Sequence, residues 1–183
     1  LARLAVAWLA MMQVMMLAVP AYVAHPGDIA PDIEQLLRDN GRTQEAFDVL
    51  DRSLAAQPNQ PDLLYEAGLL AERLGRTDVS ESYLRKLIQI KPDHAHAYNA
   101  LGYSLADRNE RLDEAQSLIG KALQLSPEDP FIMDSMGWVL FRKGDFKGAL
   151  DYLTRAYALR PDPEIAAHLG EVLWAMGRKD EAA

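Results

Sequence analysis

"DSMGWVLFRKGDFKGAL", residues 134–150, sets the smallest side chain, Gly137, directly before the largest, Trp138, inside a run whose apolar spacing predicts a helix. Glycine within a helix costs about 1 kcal/mol relative to alanine, so close packing at this position must offset it. The mark recurs. Glycines at 68, 102, 137 and 170 sit in "YEAGLLAERLGR", "YNALGYSLADRNER", "MDSMGWVLFRKGD" and "AAHLGEVLWAMGR", spaced 34, 35 and 33 residues apart. The first three are followed by a second helix-like run, "SESYLRKLIQIKP", "DEAQSLIGKALQLSP" and "KGALDYLTRAYALRP", closed by Pro92, Pro127 and Pro161. Two helices and a proline stop make one unit, and a period of this length marks an array whose units bury their apolar faces against one another.

The marks fall in register. Counting Pro130 as position 1, small and apolar residues occupy Met133, Met136, Gly137, Leu140, Ala149, Leu153 and Ala156 before Pro161. From Ala95 the same positions hold Tyr98, Leu101, Gly102 and Leu105. After one extra residue in "DRNER" come Ala115, Ile119, Ala122 and Pro127. From Pro61 they hold Leu64, Ala67, Gly68, Ala71, Ser80, Leu84, Leu87 and Pro92. This pattern resembles the tetratricopeptide repeat, a helix-turn-helix unit of about 34 residues. The resemblance implies an all-α, right-handed superhelical solenoid over residues 27–183, with units near 27–60, 61–94, 95–129 and 130–162 and a partial unit at 163–183. In the unit before Pro61, "RTQEAFDVLDRSLAAQP" reads as a good second helix, while its first helix, "APDIEQLLRDNGR", has Glu34 where a small residue is expected.

Residues 1–24, "LARLAVAWLAMMQVMMLAVPAYVA", differ from the rest: Arg3 is their only charge. A positive residue, an apolar run, Pro20 and small residues resemble an export signal or membrane anchor, although Tyr22 and Val23 make a poor cleavage site. The alternative is a helix packed on the remainder of the chain, with Met11, Met12, Met15 and Met16 folding back into a groove, as adaptable methionines can. A chain opening on Leu1 is also compatible with a fragment of something longer.

Charge and composition narrow the function. Of 183 residues, 27 are acidic and 19 are lysine or arginine, a net charge of -8 that opposes binding to a phosphate backbone. Nucleic acid is therefore not an expected partner. There are no cysteines, which removes disulfides, thiolate catalysis, thiolate zinc sites and lipid attachment through cysteine.

If positions 4, 7, 8 and 11 of each unit face its second helix, positions 2, 5, 9 and 12 line the inner wall. The candidate partner-binding residues on that wall are Tyr65, Leu69, His96, Asn99, Tyr103, Phe131, Asp134, Trp138, Phe141, Glu171 and Trp174. Trp138 and Asp134, one turn apart, offer a flat apolar face beside a carboxylate, the kind of anchor on which binding energy concentrates. Tyr103 and Phe141 are equally well read as packing between adjacent first helices. Some tetratricopeptide proteins grip a terminal carboxylate with lysine, asparagine and arginine on this wall. Here only Asn99 fits, and Asp62, Glu66, Asp134 and Glu171 oppose an anionic tail. A basic, apolar segment suits the wall better.

No catalytic residues, cofactor or metal are expected. His94 and His96, two apart on a helix, diverge and lack completing ligands. Ser135, His168 and Asp134 have no oxyanion loop or strand-turn-helix elbow beside them. The pairs Asp113 with Glu114 and Asp180 with Glu181 follow turns and precede helices, where acids favour the dipole. The glycines follow repeat spacing and do not cluster as a phosphate loop does.

Residues 95–181, through "NALGYSLADRNERLDEA", "DSMGWVLFRKGD" and "PDPEIAAHLGEVLWAMGR", further resemble the carboxy-terminal repeats of Gram-negative envelope tetratricopeptide lipoproteins. Such proteins are scaffolds that deliver substrates to a carboxy-terminal processing protease in the periplasm. The resemblance implies a non-catalytic adaptor in the bacterial envelope, periplasmic or membrane-associated through residues 1–24, with a protease and its substrates as partners. The absence of a lipid-bearing cysteine departs from that pattern, and a cytoplasmic location is the alternative. The competing function is a structural module whose aromatics are packed and whose units oligomerise. The face of "IAAHLGEVLWAM", with Leu169 and Trp174, is expected to be sticky toward a further helix or a second copy.

Overall fold

A computed structural model describes residues 41–182; residues 1–40, with the apolar amino-terminal run and most of the stretch expected to form the first helix of the earliest repeat, lie outside the described residues. The described residues form eight α-helices: α1 Thr43–Ala56, α2 Pro61–Arg73, α3 Thr77–Ile90, α4 Ala95–Asp107, α5 Leu112–Leu125, α6 Pro130–Arg142, α7 Phe146–Leu159 and α8 Pro163–Ala175. A 3-10 turn, Lys179–Glu181, follows, and no strand occurs among the described residues. The fold is an all-α tetratricopeptide-type solenoid. The chain divides into two compact units, Leu1–Arg76 and Thr77–Ala183, described separately below. Among the described residues no helix is long and apolar enough to cross a membrane.

Local chemistry explains where the helices begin. Proline opens α2, α6 and α8, where its missing N–H and fixed φ suit the first turn. Asp129 caps α6 by accepting from the Phe131 and Ile132 amides, Asp145 caps α7 through the Gly148 amide, and Asp162 caps α8 through the Glu164 amide. Asp113 and Glu114 stand in the first turn of α5, on the favourable side of its dipole.

Each first helix ends in the same turn. The amides of Arg76, Glu110, Asp145 and Arg178 donate back five residues to the carbonyls of Ala71, Leu105, Leu140 and Leu173 at 2.8–2.9 Å. That wrap needs one left-handed residue, supplied by Gly75, Gly144 and Gly177. In the repeat with the extra residue Asn109 takes the role at φ 58°, followed by Arg111 at φ 43°. Asparagine tolerates this region better than most side chains.

In the first unit, α1 and α2 pack through Ala46, Phe47, Leu50 and Leu54 on one side and Leu63, Leu64, Ala67, Leu70 and Ala71 on the other. In the second, α4 pairs with α5 and α6 with α7, and successive first helices α4, α6 and α8 also touch. The repeat glycines set these crossings. A Cβ on Gly102 would lie 2.6 Å from Ile119 Cγ1, and one on Gly137 only 2.5 Å from Leu153 Cγ. The branched side chain of the second helix thus occupies the volume the glycine vacates, which accounts for Gly137. Gly170 differs: a Cβ there would meet only the Ala182 carbonyl oxygen, at 3.6 Å.

Candidate functional site

Helix α6 touches α4, α5, α7 and α8, and its residues from Ile132 to Leu140 are all buried. A helix with neighbours on every side keeps no free face. Trp138, expected as an open groove anchor, is for this reason packed, with 5% of its surface exposed, and Asp134 is equally buried. His168 of α8 covers both. Its Nδ1 lies 2.9 and 3.0 Å from the two Asp134 carboxylate oxygens, and its ring stacks on Trp138 with centroids 4.3 Å apart and planes 21° apart. A carboxylate only accepts, so Nδ1 carries the proton.

Tyr103 of α4 approaches the same imidazole, with ring centroids 6.2 Å apart, and its hydroxyl donates to Glu164 Oε1 of α8 at 3.3 Å. Side chains from α4 and α8 therefore meet above Asp134 and Trp138 and fill the inner wall there. Burial alone would lower the His168 pKa; the hydrogen bond and charge of Asp134, helped by Glu164 and Glu171, outweigh it and hold the imidazole above its ordinary value. Burial, with the carboxylates of Glu164, Asp107 and Asp134, pushes the Tyr103 phenol well up. Ser135 donates its hydroxyl to the Phe131 carbonyl of its own helix at 3.0 Å, so it does not extend the Asp134–His168 pair into a nucleophile triad.

Farther along α8 the surface opens at Ala166 and Gly170, positions 4 and 8 on the side of the repeat's second helix, as well as at Ala167, Glu171 and Trp174, positions 5, 9 and 12 of the wall. Phe141, 5.3 Å from Trp138 between ring centroids, leads from the packed aromatics into a cleft of about 540 Å³. Ala166, Ala167, Gly170, Glu171, Trp174, Ala175 and Ala182 complete its lining. That volume is in the range that holds small ligands or a few partner side chains. Trp174 is 61% exposed, and Lys179 Nζ lies 4.5 Å from its ring centroid.

The other expected residues scatter. Tyr65 and Leu69 are half-buried on α2 in the first compact unit. His96 is exposed on α4, with Nε2 3.8 Å from Asp129 Oδ2, and Asn99 is half-buried on the same helix. Phe131 is exposed at the start of α6, under the Arg160 guanidinium, whose carbon lies 4.9 Å from the ring centroid. The structure thus brings Tyr103, Asp134 and Trp138 together as packing, and Phe141, Glu171 and Trp174 together as an open cleft. His168, weighed beside Asp134 and Ser135 only as a catalytic set, was not placed among the wall residues; the signal for its packing on Asp134 was an acid at position 5 of one unit and a histidine at position 6 of the next. Among the described residues no group of three or more histidines or carboxylates is arranged to hold a metal ion.

Residues 35–95, 65–130 and 135–183 match the tetratricopeptide repeat family model. Over 137 residues, 75% of the chain, the sequence is 45% identical to a TPR repeat-containing protein of Pseudomonas aeruginosa. The chain spans only 23% of that relative's length. Among solved structures, a thermophilic TPR protein of Thermus thermophilus superposes with a TM-score of 0.76 at 26% identity, over 85% of this chain and 86% of that one. MamA from Desulfovibrio magneticus RS-1 gives 0.72 at 19% identity, over 87% and 90%; this second likeness is one of fold.

Proposed function

The chain belongs to the tetratricopeptide repeat family, and from that premise we propose that it is a non-catalytic interaction scaffold that holds a segment of a partner protein in the cleft between Phe141 and Trp174. Repeats of this family generally serve as protein-binding scaffolds. The observation that carries the reading is the exposure of Trp174 beside a cleft of about 540 Å³, next to aromatics that are otherwise packed. A large rigid ring left in solvent beside a concavity is where an interface gains most from desolvation. Glu171 on the rim favours a segment that is basic as well as apolar.

The finer reading is an envelope adaptor, periplasmic or membrane-associated, that brings substrates to a processing protease. It rests on the resemblance of residues 95–181, through "NALGYSLADRNERLDEA", "DSMGWVLFRKGD" and "PDPEIAAHLGEVLWAMGR", to such adaptors. The test is affinity capture from a Gram-negative envelope extract, comparing the intact chain with Trp174→Ala and identifying retained proteins by mass spectrometry. Loss of a protease or its substrates with the substitution upholds the adaptor. Identical retention by both proteins removes the cleft from the working surface.

A further inference from the structure

Where α5 passes into α6, beside the end of α7, the second compact unit carries a further concavity of about 390 Å³. Pro127 and Glu128 of the connection, Met133 of α6, and Arg155, Ala158 and Leu159 of α7 line it. It shares no residue with the cleft at Trp174, and no residue of α8 contributes to it. The preceding repeat shows what it lacks. In register, Pro127, Glu128, Arg155 and Leu159 correspond to Pro92, Asp93, Lys121 and Leu125, so the proline, the acid, the cation and the leucine are kept. Met133 and Ala158 stand instead where that repeat has Tyr98 and Gln124, and both differences remove volume. Tyr98 and Leu125 are packed against the core, whereas Leu159 is 58% exposed.

We propose that this concavity is a socket for a tyrosine side chain carried by a segment of a partner protein, which supplies here the ring that Tyr98 supplies one repeat earlier. A gap between helices forfeits the contacts of a close-packed interior, and a side chain that fits the gap gains them on binding. The buried Met133 and the exposed Leu159 offer that ring an apolar seat, and a methionine sulfur is a favourable neighbour for an aromatic edge. The rim carries one group of each sign. A phenol hydroxyl can donate to the Glu128 carboxylate while its oxygen accepts from the Arg155 guanidinium, a match that neither leucine nor phenylalanine makes.

Arg155 can turn to meet such a ring. Its guanidinium lies 5.4 Å from the Tyr152 ring centroid and donates to Asp151 of its own helix at 3.3 Å, and both side chains of that pair are more than half exposed. An ion pair so open to water holds its members weakly. The socket lies outside the cleft at Trp174, so the two readings stand or fall separately.

Methyl NMR on the full chain, labelled at the methionine methyls, reads the socket directly, because an aromatic ring placed against Met133 displaces its methyl resonance. Peptides of the form Ac-Gly-Ser-Xaa-Ser-Gly-NH2, with tyrosine, phenylalanine or leucine at Xaa, are titrated in. Met133→Leu, a volume-conserving change, identifies the resonance, and Met136 and Met176, which do not line the socket, serve as references. The tyrosine peptide is expected to shift the Met133 methyl and to bind about two- to fivefold more tightly than the phenylalanine peptide, with no ring-current shift from the leucine peptide. Ala158→Gln copies the preceding repeat at an exposed position, so the denaturation midpoint should hold while the tyrosine peptide weakens by about threefold or more. A Met133 methyl that the tyrosine peptide leaves in place, or the same shift and affinity on Ala158→Gln, overturns the socket. Equal affinity of the tyrosine and phenylalanine peptides overturns the assignment of tyrosine.

Discussion

His168 Nδ1 sits 2.9 Å from Asp134 Oδ1, in a contact that joins two successive repeats at a separation of 34 residues. The imidazole also stacks on Trp138, so α8 is latched to α6 by one charge-assisted hydrogen bond and one aromatic face. The groups around it are Asp134 on α6, Glu164 and Glu171 on α8, Tyr103 on α4, and Arg142, whose guanidinium carbon lies 5.6 Å from the Trp138 ring centroid. Because the folded state holds the His168 pKa above its ordinary value of about 6.5, its contribution to stability is fully present below that pH. It is lost as pH rises through the folded pKa. Urea midpoints should therefore fall across that window, and Asp134→Asn should flatten the slope. Asp134→Ala should cost about 1 to 3 kcal/mol by leaving the buried imidazole N–H without its acceptor. The same slope in wild type and Asp134→Asn would show that the latch does not titrate.

Gly137 and Gly170 occupy the same register position and should respond oppositely to alanine. At Gly137 the new methyl would lie 2.5 Å from Leu153 Cγ, a branch point close to the α7 backbone, so helices must shift. Overpacking of this kind costs about 1 to 3 kcal/mol, against about 1 kcal/mol regained from helix propensity. At Gly170 the methyl meets only a carbonyl oxygen at 3.6 Å, so the propensity gain stands, about 0.5 to 1 kcal/mol. Thermal midpoints should drop for Gly137→Ala and hold or rise for Gly170→Ala; equal shifts would refute the packing account.

The repeat glycines, the prolines and the helix pairs were legible because each reflects a local requirement repeated at a fixed period. Gly102 and Gly137 announce the crossing with Ile119 and Leu153, and Pro130 announces the start of α6. What register could not reveal is how far the inner wall closes. Trp138 and Trp174 stand at neighbouring wall positions, 9 and 12, yet one is buried and the other exposed. The difference arises from the neighbours: α6 has α4 and α8 on either side, while Trp174 lies at the far end of α8 beside a short turn. The turn at Asn109 was equally hidden, since the extra residue in "DRNER" gave no sign that an asparagine would adopt the conformation that glycine takes at 75, 144 and 177.

Asp129 has two tasks at the start of α6. One of its oxygens accepts from the Phe131 amide at 2.9 Å and the Ile132 amide at 3.2 Å. Replacing it with alanine leaves two first-turn donors without that partner and should lower stability by about 1 kcal/mol. Asp129→Asn, which keeps a capping oxygen, should retain most of it. Chemical denaturation of the two variants separates the cap from the charge, and an equal loss in both would assign the effect to the charge beside His96 instead.

Trp138 and Trp174 provide the sharpest separation of packing from binding. Trp138→Ala opens a cavity beneath His168 and should cost about 3 to 5 kcal/mol. Trp138→Phe should cost under about 2 kcal/mol, because the indole Nε1 is buried with no partner among the described residues and its removal breaks no hydrogen bond. Trp174→Ala, at a position 61% exposed, should change stability by no more than about 0.5 kcal/mol. Partner capture should respond in the opposite order: lost with Trp174→Ala, retained with Trp138→Phe. Both are read on the same samples, by denaturation midpoint and by pull-down. A Trp138→Phe protein that is as stable as wild type yet binds nothing would return the buried tryptophan to the binding surface.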